Sequence, residues 1–235
     1  MTHENENAFI TIGVILFPRM DQMDFTGPFE VFCRLPNSAI HLLAKTRAPI
    51  TDAHGLILAP EMEFSACPPL DLLIIPGGAG IDALLEDEET LAFIRHKALA
   101  ARMVLTVCTG ALVAGAAGLM KGRRATTHWA SHHLLSSLGI TPVNSRVVVD
   151  DNIVSTAGVT AGFDGSFLVA AKLRGERTAQ SIQLEIEYDP EPPFKSGSPA
   201  NASSDILKER IESARPRIEK RAEIIRRVAL HLGLG

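Results

Sequence analysis

Apolar and polar positions in this chain come in blocks. Phe9 to Phe17 (FITIGVILF), Asp71 to Ile75 (DLLII) and Met103 to Val107 (MVLTV) are short apolar runs with no two-residue period. Such runs suit strands buried on both faces, as in a parallel sheet. Ala39 to Ala44 reads as another strand, and Ile50 to Ala59, broken at His54-Gly55, as a small β-excursion. Arg146 to Val149 and Ile153 to Thr156 flank Asp150-Asp151-Asn152, a hairpin signal. Helical patterns fall between these runs. Phe29 to Leu35 follows Pro28, a good first-turn residue. Thr90 to Ala100 puts Leu91, Ile94 and Ala98 on one face, and Trp129 to Leu138 stops at Gly139. Thr160 to Leu173 and Ala179 to Glu187 complete the set. Strands alternating with helices predict an α/β fold, a mostly parallel sheet covered by helices on both faces.

The pattern changes after residue 188. Asp189 to Ala202 (DPEPPFKSGSPANA) reads as an extended connector. From Asp205 to Gly235, Leu207, Ile211, Ala214, Ile218, Ala222, Ile225, Val228 and Leu232 recur at helical spacing, with Pro216 expected to kink or restart the helix. Lys and Arg alternate with Glu along it, which suits a solvated face and not a DNA reader. The expected organisation is a domain over 1–188, then a connector and helical arm over 189–235 that packs on the domain or on a partner subunit.

With 235 residues, 46% of them hydrophobic, the chain can bury a substantial core. A net charge of −4 gives no pull toward nucleic acid or an anionic membrane surface. Cys33, Cys67 and Cys108 are far apart with no C-x-x-C, and the opening MTHENENAF is unlike a secretory signal. A cytoplasmic protein with reduced thiols is the expectation. Met103 to Met120 is uncharged between Arg102 and Lys121 and just reaches the length of a membrane span. Its composition argues otherwise: a β-branched run gives way at Cys108-Thr109-Gly110 to Ala, Leu and Gly.

That switch predicts strand, abrupt turn, helix, with Cys108 on the turn. Unpaired N–H groups and the helix dipole favour a thiolate there, and the Thr109 N–H points toward an oxyanion forming beside the sulfur. Gly110 relieves crowding after the turn. The alternative is a buried structural cysteine. Three strands (9–17, 71–75 and 103–107) end in unusual loops, and ligands in such sheets bind at the carboxyl ends of strands. Asp24, between apolar residues past the first strand, is a candidate to hold or share a proton, or else an ordinary helix cap. Gly77 and Gly78 allow close backbone approach and a second oxyanion donor. The G-x-G-x-x-A match at 78–83 is not on the first strand and lacks the acidic partner of a dinucleotide site. His128 and His132 lie four apart without a nearby third metal ligand; His128 fits better as a lining group of the thiol pocket. Cys33 and Cys67 are expected to be inert, Cys67 partly exposed beside Pro68-Pro69. No metal or cofactor is called for.

Asp24-x-Thr26-Gly27-Pro28, Ile75-Pro76-Gly77-Gly78, Val107-Cys108-Thr109-Gly110, Ala117-Gly118-Leu119 and Ala125-Thr126-Thr127-His128-Trp129, taken in that order, resemble the DJ-1/PfpI superfamily. Within it they are most similar to the isocyanide hydratase branch, and the similarity extends through Tyr188-x-Pro190-x-Pro192-Pro193-Phe194 into the tail. The resemblance implies a flavodoxin-like sandwich, a homodimer, Cys108 as nucleophile, Asp24 as its acidic partner and Thr109 as an active-site neighbour. The implied substrates are a small isocyanide and water. Thr109 stands where PfpI-like proteases have His, no His-x-Glu follows as in glutamine amidotransferases, and an AraC-type helix-turn-helix region is lacking. A DJ-1-like glyoxalase or deglycase and a cysteine-based redox sensor are the rival expectations.

Overall fold

The computed structural model describes residues 8–234. Its strands are β1 (Ile10–Ile15), β2 (Ser38–Ala44), β3 (Ile50–Thr51), β4 (Ile57–Leu58), β5 (Met62–Glu63), β6 (Leu72–Ile75), β7 (Met103–Thr106), β8 (Arg124–Ala125), β9 (Thr141–Pro142), β10 (Val147–Asp150) and β11 (Ile153–Thr156). The helices are α1 (Met23–Phe32), α2 (Ile81–Leu84), α3 (Glu88–Ala100), α4 (Gly110–Ala116), α5 (Ala161–Arg174), α6 (Glu176–Glu185) and α7 (Ser204–His231). Seven strands form one sheet in the order β10-β11-β7-β6-β1-β2-β5. Its neighbours pair in parallel except β10 and β11, the antiparallel hairpin at one edge. β3 and β4 form the separate excursion expected around His54-Gly55.

The continuous apolar runs explain this order. All residues of β6 and β7 are buried, so both faces of those strands need cover. Helices α1, α5 and α6 pack together as one layer, and α2, α3, α4 and part of α7 as another. The flavodoxin-like sandwich expected from the sequence is the fold observed. The uncharged stretch from Met103 to Met120 divides into β7, the turn and α4, and no described helix is long and apolar enough to cross a membrane.

Four local expectations are corrected. The first helix starts at Met23, not at Phe29, so Pro28 lies inside α1 and Asp24 in its first turn. Packing against α5 holds it there: a Cβ at Gly27 would lie 3.1 Å from the Phe163 ring, and one at Gly162 3.5 Å from the Pro28 ring. The 129–138 segment is two 3₁₀ turns, Trp129–Leu134 and Ser136–Leu138, ending at Gly139 in the left-handed conformation (φ 69°). The last helix does not restart at Pro216; α7 continues through it. Pro216 and Glu212, whose carbonyl loses its intrahelical donor, are exposed, so water can take the vacant bond. Cys67 is buried because it joins the core cluster.

Candidate active site

The loops after β1, β6 and β7 leave adjacent strands at the same end of the sheet. They are stitched together by backbone. The Asp21 N–H donates to Gly77 O at 3.0 Å, and Met20 forms an antiparallel bridge with Gly78. Gly77 is required by space: a Cβ there would lie 2.5 Å from Thr109 N, 2.6 Å from Thr109 Oγ1 and 2.9 Å from Asp24 Oδ2. Gly110 is likewise pressed against β6, where a Cβ would come within 2.0 Å of Ile75 O. No side chain fits between these loops, which is how Asp24, Gly77, Gly78, Cys108 and Thr109 converge.

Cys108 occupies the elbow with φ +55°, a left-handed conformation uncommon for a residue bearing a Cβ. The strain is held by both neighbours of the turn. Its N–H donates to Ala157 O at 3.1 Å, and its carbonyl accepts from Thr127 Oγ1 at 2.6 Å. The sulfur meets the backbone N–H groups of Val159 and Thr109, both of which favour its ionised form. Val159 is itself at φ +27°, an outlier for a β-branched residue. The Thr109 hydroxyl accepts from the Gly78 N–H at 3.0 Å.

The thiolate expected from the helix terminus is opposed by burial. Burial is the largest influence and pushes the Cys108 thiol well above its ordinary value, with the Asp24 carboxyl adding to the rise against the two N–H donors. Asp24 is fully buried in the first turn of α1, and burial followed by the charge of Asp21 pushes its pKa up to about 8. Its Oδ2 accepts from the Gly77 N–H at 3.0 Å, and the carboxyl also meets the Cys108 thiol. Oδ1 has no hydrogen-bond partner among the described residues. Burial and mutual repulsion therefore both oppose placing a negative charge on the carboxyl and the thiol together, and the two groups titrate as a pair.

Cys108 is only 6% exposed, yet it is not walled off: it lines a cavity of about 280 Å³ together with His128, Thr109 and Gly78. His128 Nδ1 accepts from the Ala130 N–H at 3.3 Å, which leaves the ring proton on Nε2. Burial, then the positive charges of Arg217 and Arg221, lower its pKa and keep the ring neutral. His132 turns to Val143 O at 3.0 Å and does not share the cavity with it.

The site has residues that sequence reasoning missed. α7 contributes Arg217, Ile218 and Arg221 to the cavity wall. Arg221 is 2% exposed; it donates to Asp82 Oδ1 at 2.6 Å, Ser131 Oγ at 3.1 Å and Gly78 O at 3.5 Å. A signal was present, because Arg221 stands on the apolar stripe itself, seven residues after Ala214 and four before Ile225. Val159 left no comparable signal, since it acts through its backbone.

An elbow cysteine and a buried acid at the carboxyl end of a flavodoxin-like sheet define a class. The chain belongs to the DJ-1/PfpI family, whose model matches residues 11–171. A Pseudomonas putida protein named isonitrile hydratase is 49% identical over 225 residues, covering 96% of this chain and 99% of that one. That similarity therefore runs past the family match and through most of α7. A solved ThiJ/PfpI family protein from Pseudomonas syringae superposes with a TM-score of 0.91 at 37% identity, covering 94% of this chain and 92% of that one. Drosophila melanogaster DJ-1beta shares the fold, with a TM-score of 0.68 at 17% identity over 77% of this chain and 98% of that one.

Proposed function

We propose that this chain is an isocyanide (isonitrile) hydratase that converts an isocyanide and water to an N-substituted formamide without a cofactor. The observation that carries the reading is the buried Asp24 carboxyl in contact with the elbow thiol at the base of a small cavity. The near-full-length likeness to the P. putida protein supports it. An isocyanide carbon is a poor electrophile until protonated, so the reaction needs an acid and a nucleophile at one carbon. Asp24 gives its proton to that carbon as the Cys108 sulfur attacks, and the thiol proton passes to the carboxylate. The S–H bond has then added across the carbon, giving the thioimidate R–N=CH–S–Cys108 and a reprotonated Asp24. Charge developing on sulfur is met by the Thr109 and Val159 N–H groups.

In the second half, water adds to the same carbon. Asp24 gives its proton to the imine nitrogen and takes one from the water, forming R–NH–CH(OH)–S–Cys108. The C–S bond breaks as the hydroxyl proton returns to sulfur through Asp24, releasing R–NH–CHO and the thiol. Atoms and charge balance with no metal or redox partner in the scheme. The Thr109 hydroxyl, held by the Gly78 N–H, orients the water, and neutral His128 lines the approach.

Formamide production from an aryl isocyanide, followed by absorbance, tests the assignment with wild type, Asp24→Asn and Cys108→Ser. Turnover by wild type alone, with a substrate-mass adduct on Cys108 in intact-protein mass spectrometry, is the expected result. An active Cys108→Ala variant would end the scheme, and turnover of methylglyoxal but not of the isocyanide would move the chain to the deglycase-like reading. We also take the protein to act as a homodimer, with the exposed apolar residues Ile206 and Ile211 of α7 toward the second copy; light scattering at the monomer mass would reject this.

A further inference from the structure

The cavity over Cys108 is electrostatically lopsided. Cys108 lines its base, with Asp24 buried against the thiol, and its wall carries Arg19, Arg217 and Arg221 against a single lining carboxylate, Asp21. Arg221 is committed to Asp82. Arg19 and Arg217 are not: among the described residues neither side chain has a hydrogen bond or an ion-pair partner. Asp21 does not offset both, and one of its oxygens already accepts from the Met23 N–H at 3.1 Å.

The main chain of Arg19 is fixed, and its side chain is exposed at the rim of the cavity, as is that of Arg217. Arg19 sits at φ +59°, a conformation arginine adopts rarely, pinned by its own N–H on Thr51 O and by the Gly80 N–H on its carbonyl, each at 2.9 Å. Arg217 comes from a different element, on the same turn of α7 as Ile218 and one turn before the buried Arg221 anchor. Its charge reaches the cavity interior, where it contributes to the lowered pKa of His128. Unpaired guanidinium groups at a pocket rim attract a carboxylate both by long-range field and by paired N–H donors.

The geometry points to an isocyanide that carries a carboxylate on its substituent, with the carboxylate held between Arg19 and Arg217 and the isocyanide carbon presented to Cys108. This rests on the hydratase reading and names the substrate class of that site. The volume of about 280 Å³ suits a small aliphatic acid better than an extended one.

The test compares 3-isocyanopropanoate with its methyl ester, in which the methylene groups insulate the reacting carbon from the acid group. Formamide formation is followed by NMR for wild type and for the Arg19→Gln/Arg217→Gln double variant. The expected result is a kcat/KM for the carboxylate roughly five- to tenfold above that for the ester, expressed in KM and shrinking as salt is added. In the double variant that ratio should fall to about one. Equal kcat/KM in wild type, or a preference that survives the double substitution, overturns the inference while leaving hydratase activity intact. Formamide from the aryl isocyanide but from neither of these compounds overturns the inference alone; formamide from none of the three overturns the hydratase reading, and the inference falls with it.

Discussion

Gly77→Ala is the substitution whose consequence follows most directly from the coordinates. The added methyl would stand 2.5 Å from Thr109 N, where ordinary contact begins at 3.4 Å, and would press on Thr109 Oγ1 and Asp24 Oδ2 as well. Two of those three atoms are held by hydrogen bonds to the same loop, from Gly77 N–H to Asp24 and from Gly78 N–H to Thr109. The loop or its partners must therefore move by roughly 1 Å, and a displacement of that size in catalytic groups lowers turnover by roughly 100-fold. Overpacking of a filled site should also cost about 1–3 kcal/mol of stability. Initial rates of formamide formation and urea unfolding measure the two effects on one preparation. Gly197→Ala, where nothing lies within 4 Å of the new methyl, serves as the control and should change neither. A folded Gly77→Ala protein with kcat within about twofold of wild type would refute the claim that this loop sets the Asp24–Cys108–Thr109 geometry.

Three further outcomes are expected. Asp24 has a folded-state pKa of about 8, well above its ordinary 3.8, so the folded protein binds its proton more tightly than the unfolded chain does. Its contribution to stability is therefore greatest at acid pH and is lost as pH rises between those two values; Asp24→Asn should flatten that fall, by on the order of a few kcal/mol in urea titrations at several pH values, and an unchanged slope would contradict it. The alkaline limb of kcat/KM near pH 8 should belong to the same Asp24–Cys108 pair. Arg221→Met leaves Asp82 without its buried partner and should destabilise by roughly 3 kcal/mol; a loss under about 0.5 kcal/mol would show that the arm is not anchored there. Pro216→Ala restores a backbone donor within an exposed stretch of α7 and should stabilise the protein by about 1–3 kcal/mol, a gain that thermal unfolding would detect and a lowered Tm would disprove.

Local pattern alone determined a good deal of this protein. The run Met103–Val107 followed by Cys-Thr-Gly is readable as strand, elbow and helix because β-branched content and the change to small residues are properties of neighbours in the chain. The same holds for the Gly77-Gly78 turn after β6, the β10–β11 hairpin and the strand-helix alternation that implies a covered parallel sheet. Tertiary structure decided the rest. Whether the thiol rests ionised depends on how many atoms exclude water from it, and burial by distant elements outweighs the N–H donors that the elbow supplies. Asp24 belongs to a helix and not a loop because α5 packs on Gly27 and Pro28 across the fold. The spacing of the arm puts Arg221 on its apolar stripe, but only the folding back of α7 set it against Asp82, Ser131 and Gly78, partners so distant in the chain that no local pattern names them.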